Sequence, residues 1–137
     1  MNIDELTGHD LNVAVAQALG WVQDEGRKNG IWWASDGTHH RRIPLENESA
    51  SGASYMFDPA RNIATALDEL GGASANWSIK RCGERLEVLF YATDKHPRGY
   101  EVVKVADFPN ESTAIGTAFC RAWLKAQAAQ SNEEATP

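Results

Sequence analysis

The residues of this 137-residue chain with the most chemical potential are two cysteines, four histidines and one basic run bracketed by aromatics. Nucleophilic catalysis needs a Ser or Cys beside a base, often on a strained elbow. There is no Gly-x-Ser-x-Gly, and Cys120 falls in a helical run whose apolar neighbours imply burial. Cys82, at a hairpin turn between Arg81 and Glu84, offers an accessible thiol, and exposure alone is not catalysis. A metal needs three or four convergent ligands. His39 and His40 are adjacent, so on a strand they face opposite ways, and His9 and His96 lie in separate loops or caps. Gly71-Gly72 precede no Lys-Ser and read as a helix stop, not a phosphate loop. The chain therefore reads as non-enzymatic, with no metal and no cofactor.

Binding is the better-supported task. Trp32, Trp33, Tyr55 and Phe57 flank Thr38-His39-His40-Arg41-Arg42-Ile43-Pro44, the most basic stretch of the chain. Aromatic rings stack on bases, and guanidinium forks pair with phosphates in bidentate fashion. The expected site is Arg41 and Arg42 for phosphate with Trp33 and Tyr55 for a base, and the expected ligand is a small phosphorylated molecule such as a nucleotide signal. A competing reading puts one Trp ring in the core and one under a helix, leaving His-His-Arg-Arg as a solvated loop. Arg81, Arg85 and Arg98, near hairpin tips, read as surface charges.

Something must hold those residues, and the stretch from Asn76 to Phe108 is the clearest scaffold. Asn76 to Cys82, Glu84 to Ala92 and Tyr100 to Phe108 have the pattern of three antiparallel strands, with a tight turn at Cys82-Gly83-Glu84 and a looser one from Asp94 to Gly99. Val88, Phe90 and Ala92 share one face and Leu89 and Tyr91 the other, so neither face is cleanly polar and both call for cover. Ile31 to Ala34 reads as a fourth, edge strand. Three helices supply the cover. One runs from about Gly8 to Leu19 behind Thr7. A second starts at Asp58 as N-cap with Pro59 at the first helical position. The third follows Asp107 to Thr113 and carries Ile115, Ala118, Phe119, Ala122, Trp123 and Ala126 at helical spacing. The expected architecture is α+β, a three-layer α-β-α sandwich with a three- to four-stranded antiparallel sheet and helices on both faces. One domain spans residues 1–129, with a long surface loop over 36–54 and a disordered polar tail over 130–137.

Composition narrows the function. A net charge of −6 and a pI near 5.1 argue against a protein that wraps nucleic acid non-specifically. Residues 1–26 contain five carboxylates and no Lys or Arg. No apolar run approaches the roughly 20 residues of a membrane span, and Met1-Asn2-Ile3-Asp4-Glu5 is unlike a signal peptide. Two cysteines without a ligand cluster fit a reducing compartment. The expectation is a soluble cytoplasmic protein with no membrane partner.

The arrangement resembles the phage ABA-sandwich domain, a family of small bacteriophage and prophage accessory proteins. The residues that carry the likeness are Asp10-Leu11-Asn12-Val13-Ala14-Val15-Ala16, Leu19-Gly20-Trp21, Tyr55-Met56-Phe57-Asp58, Trp77-Ser78-Ile79 and Ala114-Ile115-Gly116-Thr117-Ala118-Phe119-Cys120-Arg121-Ala122. The likeness spans about Asp4 to Ala126, and the 36–54 loop looks like an enlargement. It implies phage origin, an α-β-α sandwich and an accessory role in the host bacterial cytoplasm, and carries over no catalytic residue. Combined with the aromatic–basic bracket, it implies anti-defence by sequestering a cyclic-nucleotide-type signal, in a homo-oligomer because a domain this small rarely encloses a ligand alone. The alternatives are an acidic nucleic-acid mimic that inhibits a host nuclease or defence complex, in the manner of an anti-CRISPR protein, and a minor virion component.

Overall fold

The computed structural model describes residues 2–24, 31–34, 40–45, 56–71, 76–93 and 96–135. A 3₁₀ turn (Ile3–Glu5) leads into helix α1 (Gly8–Ala18) and strands β1 (Val22–Asp24), β2 (Ile31–Ala34) and β3 (His40–Ile43). Helix α2 (Ile63–Ala66) widens into a π turn (Leu67–Gly71) and is followed by strands β4 (Asn76–Cys82), β5 (Arg85–Thr93) and β6 (His96–Lys104). A second 3₁₀ turn (Val105–Asp107) then launches the long helix α3 (Glu111–Ala135). The result is the α+β fold expected: three helices packed with a three-stranded antiparallel sheet, ordered β4-β5-β6.

The sheet forms where alternation and turn chemistry agree. Cys82 pairs with Arg85 to close the first hairpin, and Gly83, at φ +61°, takes the left-handed conformation its tight turn demands. Of the stretch expected as a looser turn from Asp94 to Gly99, His96 to Gly99 belong to β6. Register shifts between Phe90 and Thr93 place Pro97 opposite Tyr91. Proline lacks the N–H a ladder needs and is tolerated at such irregularities.

Ile31 to Ala34 is a strand but not the edge of this sheet. It is the middle of a second antiparallel sheet, β1-β2-β3, in which Ile31 pairs with Ile43, Trp32 with Arg42 and Trp33 with Arg41. The basic stretch read as part of a long loop is thus, at His40–Ile43, strand β3. A parallel bridge from Arg42 to Met56 and the bond from Phe57 N–H to Arg42 C=O (2.8 Å) tie its far edge to the rest.

α3, more than the sheet, is the centre of the molecule. From Ala114 to Leu124 every residue except Ile115 is buried. A helix buried on all sides is a core element. One side lies on β5 and β6, where Phe119 meets Phe90 and Trp77 edge-on at centroid distances of 4.7 and 5.3 Å. The other side carries α1 and α2. Two glycines set the spacing. A methyl group at Gly99 would lie 1.9 Å from Ala122 O, and one at Gly116 would lie 2.5 Å from Pro59 O. Beyond the sheet contact α3 continues to Ala135, so the segment expected as a polar tail from Gln130 is helical that far. Its Gln, Glu and Ala are good helix formers despite their polarity.

The two faces of the main sheet differ in coverage. Leu86, Val88, Phe90, Glu101 and Val103 are buried on the face toward α3. On the other, Ser78, Lys80, Cys82, Arg85, Tyr100 and Lys104 are exposed and Glu87, Leu89 and Val102 half-buried. The N-terminal turn is pinned to α3: Arg121 Nε donates to Leu6 O (3.0 Å), and Lys125 Nζ lies 2.6 Å from Asp4 Oδ1 and 3.1 Å from Glu101 Oε2. The hydrogen bond from Lys125 holds the Asp4 carboxyl below its ordinary range, whereas burial pushes that of Glu101 up.

Candidate functional site

A cavity of about 340 Å³ opens where the first turns of α1 and α3 meet the exit of β3 and the turn that precedes α2. Its floor is a buried polar network built from three separate segments. Asn12, 1 % exposed, donates from Nδ2 to Asp58 Oδ1 (2.8 Å) and accepts at Oδ1 from Ala60 N–H (3.0 Å). The other oxygen of Asp58 holds Arg61 Nε at 2.7 Å. Thr117 Oγ donates to Ala60 O (3.3 Å), and Ser112 Oγ donates to Arg61 O (3.1 Å). Every buried polar group of this network thus has a partner, as burial requires.

This network also explains a local difference from expectation. Asp58 was expected to cap α2, but its carboxylate is taken by Asn12 and Arg61. The chain makes one turn from Asp58 to Asn62, and Asn62 Oδ1 then accepts from the Ala64 and Thr65 N–H groups (3.1 and 3.3 Å). The cap moves four residues on. At the start of α3, Asn110 does the same for Thr113 N–H (2.8 Å).

The walls of the cavity are of two kinds. Pro44, Leu45, Phe108 and Pro109 give it apolar flanks; Thr7, His9, Arg61, Asp107 and Thr113 give it polar ones. His9 Nδ1 lies 2.9 Å from Pro44 O. A carbonyl oxygen only accepts, so Nδ1 is the donor of this bond. Apolar walls with a few fixed polar groups are what small-ligand sites are made of, and the volume lies at the low end of their ~300–1,000 Å³ range.

The residues expected to bind a ligand lie elsewhere. Trp33 and Arg41 are directly paired across β2 and β3. The Arg41 guanidinium sits over the rings of Trp21 and Phe57, 5.8 and 5.4 Å from their centroids, and Nη2 donates to Met56 O (3.3 Å). Those rings are themselves in contact, with centroids 4.5 Å apart. Arg42 Nη1 approaches Met56 Sδ at 3.9 Å. Tyr55 lies outside the described residues, as does His39. The structure therefore brings Trp33 and Arg41 together and gives both arginines intramolecular contacts around Met56.

Sequence reasoning weighed His9 only as a metal ligand and gave Asn12, Arg61 and Thr117 no part in a site, because they converge only in the fold. The one local signal was the three-residue spacing of Asp58 and Arg61, which suits an ion pair. Among the described residues no three His, Cys, Asp or Glu side chains gather as a metal would need, and no helix is long and apolar enough to cross a membrane. Cys82 is exposed and Cys120 buried; both are free thiols. No family model, curated protein or solved structure matches the chain.

Proposed function

We propose that this protein binds, without transforming it, a small nucleotide-type ligand in the cavity between the first turns of α1 and α3. The observation that carries this reading is the pairing of apolar flanks at Pro44, Leu45 and Phe108 with a polar floor fixed by Asn12, Asp58 and Arg61 in a cavity of about 340 Å³. A base fits between the apolar flanks. Arg61, held in plane by Asp58, supplies charge toward a phosphate, and His9 and Thr113 supply hydrogen bonds. The phage-family resemblance adds the setting: an accessory protein in the host cell that withdraws a cyclic nucleotide signal by sequestering it.

Calorimetry with a panel of cyclic mono- and dinucleotides, together with mass analysis of small molecules released on heating the purified protein, tests this. Thr113→Phe, which fills the cavity, should abolish binding while circular dichroism stays unchanged, and Arg41→Ala should bind as before. Binding that survives Thr113→Phe but is lost in Arg41→Ala would return the site to the β2–β3 pair. No ligand across the panel, and none released on heating, would refute the reading altogether.

A further inference from the structure

The more exposed face of the main sheet carries charge and an aromatic ring arranged for a different partner. Arg85 and Lys104 are directly opposite each other on β5 and β6. Like charges at such positions repel. Neither they nor Lys80 make a hydrogen bond or ion pair with a side chain among the described residues. The one carboxylate in the rows formed by these residues, Glu87, accepts from Tyr100 Oη at 3.3 Å. That bond runs diagonally, because Tyr100 pairs with Leu89 and Glu87 with Val102. It fixes the far end of the ring, and Tyr100 remains 47 % exposed. An acidic chain has thus gathered three cations around a tethered, outward-facing aromatic plate.

We infer that this face is a docking surface for single-stranded nucleic acid, with a base stacked on Tyr100 and backbone phosphates on Arg85, Lys104 and Lys80. Stacking on an exposed ring is indifferent to base identity, and a duplex has no unstacked base to offer it. Lys104 lies four residues along β6 from Tyr100, about 13 Å at ~3.3 Å per residue, so a strand running along β6 reaches ring and cations together. The net charge of −6 does not oppose this, because contact depends on the local field, and in these rows three cations stand against the single carboxylate of Glu87, opposite Lys80. The face is separate from the cavity, and the inference goes beyond the function proposed above.

Fluorescence anisotropy of the full chain with labelled oligo(U), oligo(dT) and a hairpin duplex tests it. Binding of either single strand in preference to the duplex is expected, and the comparison of the two strands assigns the sugar. Affinity should fall ~20-fold between 50 and 200 mM salt if three phosphates are contacted, at a slope of about −0.7 each. Tyr100→Leu should weaken binding about five-fold or more without altering that slope. Lys104→Glu should weaken it and make the slope shallower. Both positions are at the surface, and thermal unfolding checks that the variants fold. No binding at 50 mM salt, or binding that ignores both substitutions, overturns the inference. So would a sedimenting dimer that Tyr100→Asp dissociates in the absence of oligonucleotide binding, which assigns the face to a second copy of the chain.

Discussion

Replacing Gly99 with Ala adds one methyl group where β6 and α3 approach closely. That carbon would lie 1.9 Å from Ala122 O and 2.8 Å from Ala126 N, both backbone atoms of a buried helix that no side-chain rotation can move. An ordinary carbon–oxygen contact is about 3.3 Å, so α3 must withdraw by more than ~1 Å. A gap of 0.5–1 Å already forfeits about a quarter to a half of each dispersion contact, and Phe119, Ala122, Trp123 and Ala126 all contribute to this interface. The cost belongs at the upper end of overpacking, about 3 kcal/mol, less ~0.4–1 kcal/mol returned by the stiffer unfolded chain. That is a large part of a typical ~5–15 kcal/mol stability. Urea unfolding followed by tryptophan fluorescence should show the midpoint falling by about 1 M or more with little change in slope. Gly83→Ala is the control: its methyl group would meet nothing within 4 Å, so only the φ of +61° is costly, at ~1–2 kcal/mol. If Gly99→Ala unfolds at the wild-type midpoint, or costs no more than Gly83→Ala, close approach is not what the glycine provides.

Arg41→Ala should lower stability by about 1–2 kcal/mol through loss of its contacts with Trp21, Phe57 and Met56 O, measured by the same urea titration; an unchanged midpoint would argue that the stacking contributes nothing. Glu101→Gln should alter the pH dependence in a defined direction. Because the folded carboxyl of Glu101 titrates above its ordinary value of 4.5, its contribution favours the fold at low pH and is lost as pH rises through the interval between 4.5 and the raised folded value. The stability of Glu101→Gln relative to wild type should therefore be higher at pH 7 than at pH 4, and the opposite trend between unfolding curves at the two pH values would contradict the assignment. Asp4, whose carboxyl titrates low, gives the reverse dependence. Under native conditions a thiol reagent should titrate Cys82 promptly and reach Cys120 only in denaturant, since burial raises the Cys120 thiol far above its usual range. Prompt reaction of both thiols would mean that α3 opens readily.

Elements with a strong period were legible in the chain. α1, the hairpin at Gly83 and the apolar stripe of α3 each follow from residues close in sequence. β3 was not, because His40, Arg41 and Arg42 have the composition of a loop and become a strand by pairing with Ile31 to Ala34. The central position of α3 was half legible. Phe119 and Trp123 marked one flank, but the other is built from Ala114, Gly116, Thr117 and Cys120, small residues with a weak hydrophobic signal that matter because they admit close neighbours. Gly99 read as a turn residue and is a packing residue, a distinction only the backbone of Ala122 reveals. The cavity was hidden for a different reason: Thr7, Asn12, Pro44, Arg61, Phe108 and Thr117 come from five stretches of chain, and nothing local links them. Arg41 was read as a phosphate-binding arginine among aromatics; the rings it covers are Phe57, one of that bracket, and Trp21, which is twenty residues away.

The burial of α3 on all sides has a consequence for how the protein is made. The β4–β5 and β5–β6 hairpins pair neighbours and can form as soon as they are synthesised. α1 and the N-terminal turn cannot settle, because the partners that hold them, Arg121 and Lys125, are among the last residues described. The bond from Arg121 to Leu6 closes a separation of 115 residues. Long closures of this kind slow folding and leave apolar surface waiting. During synthesis Leu11, Val15 and Phe57 remain without a core until α3 has emerged, so a stalled or shortened chain lacking α3 is not a smaller domain but a substrate for chaperones and proteases.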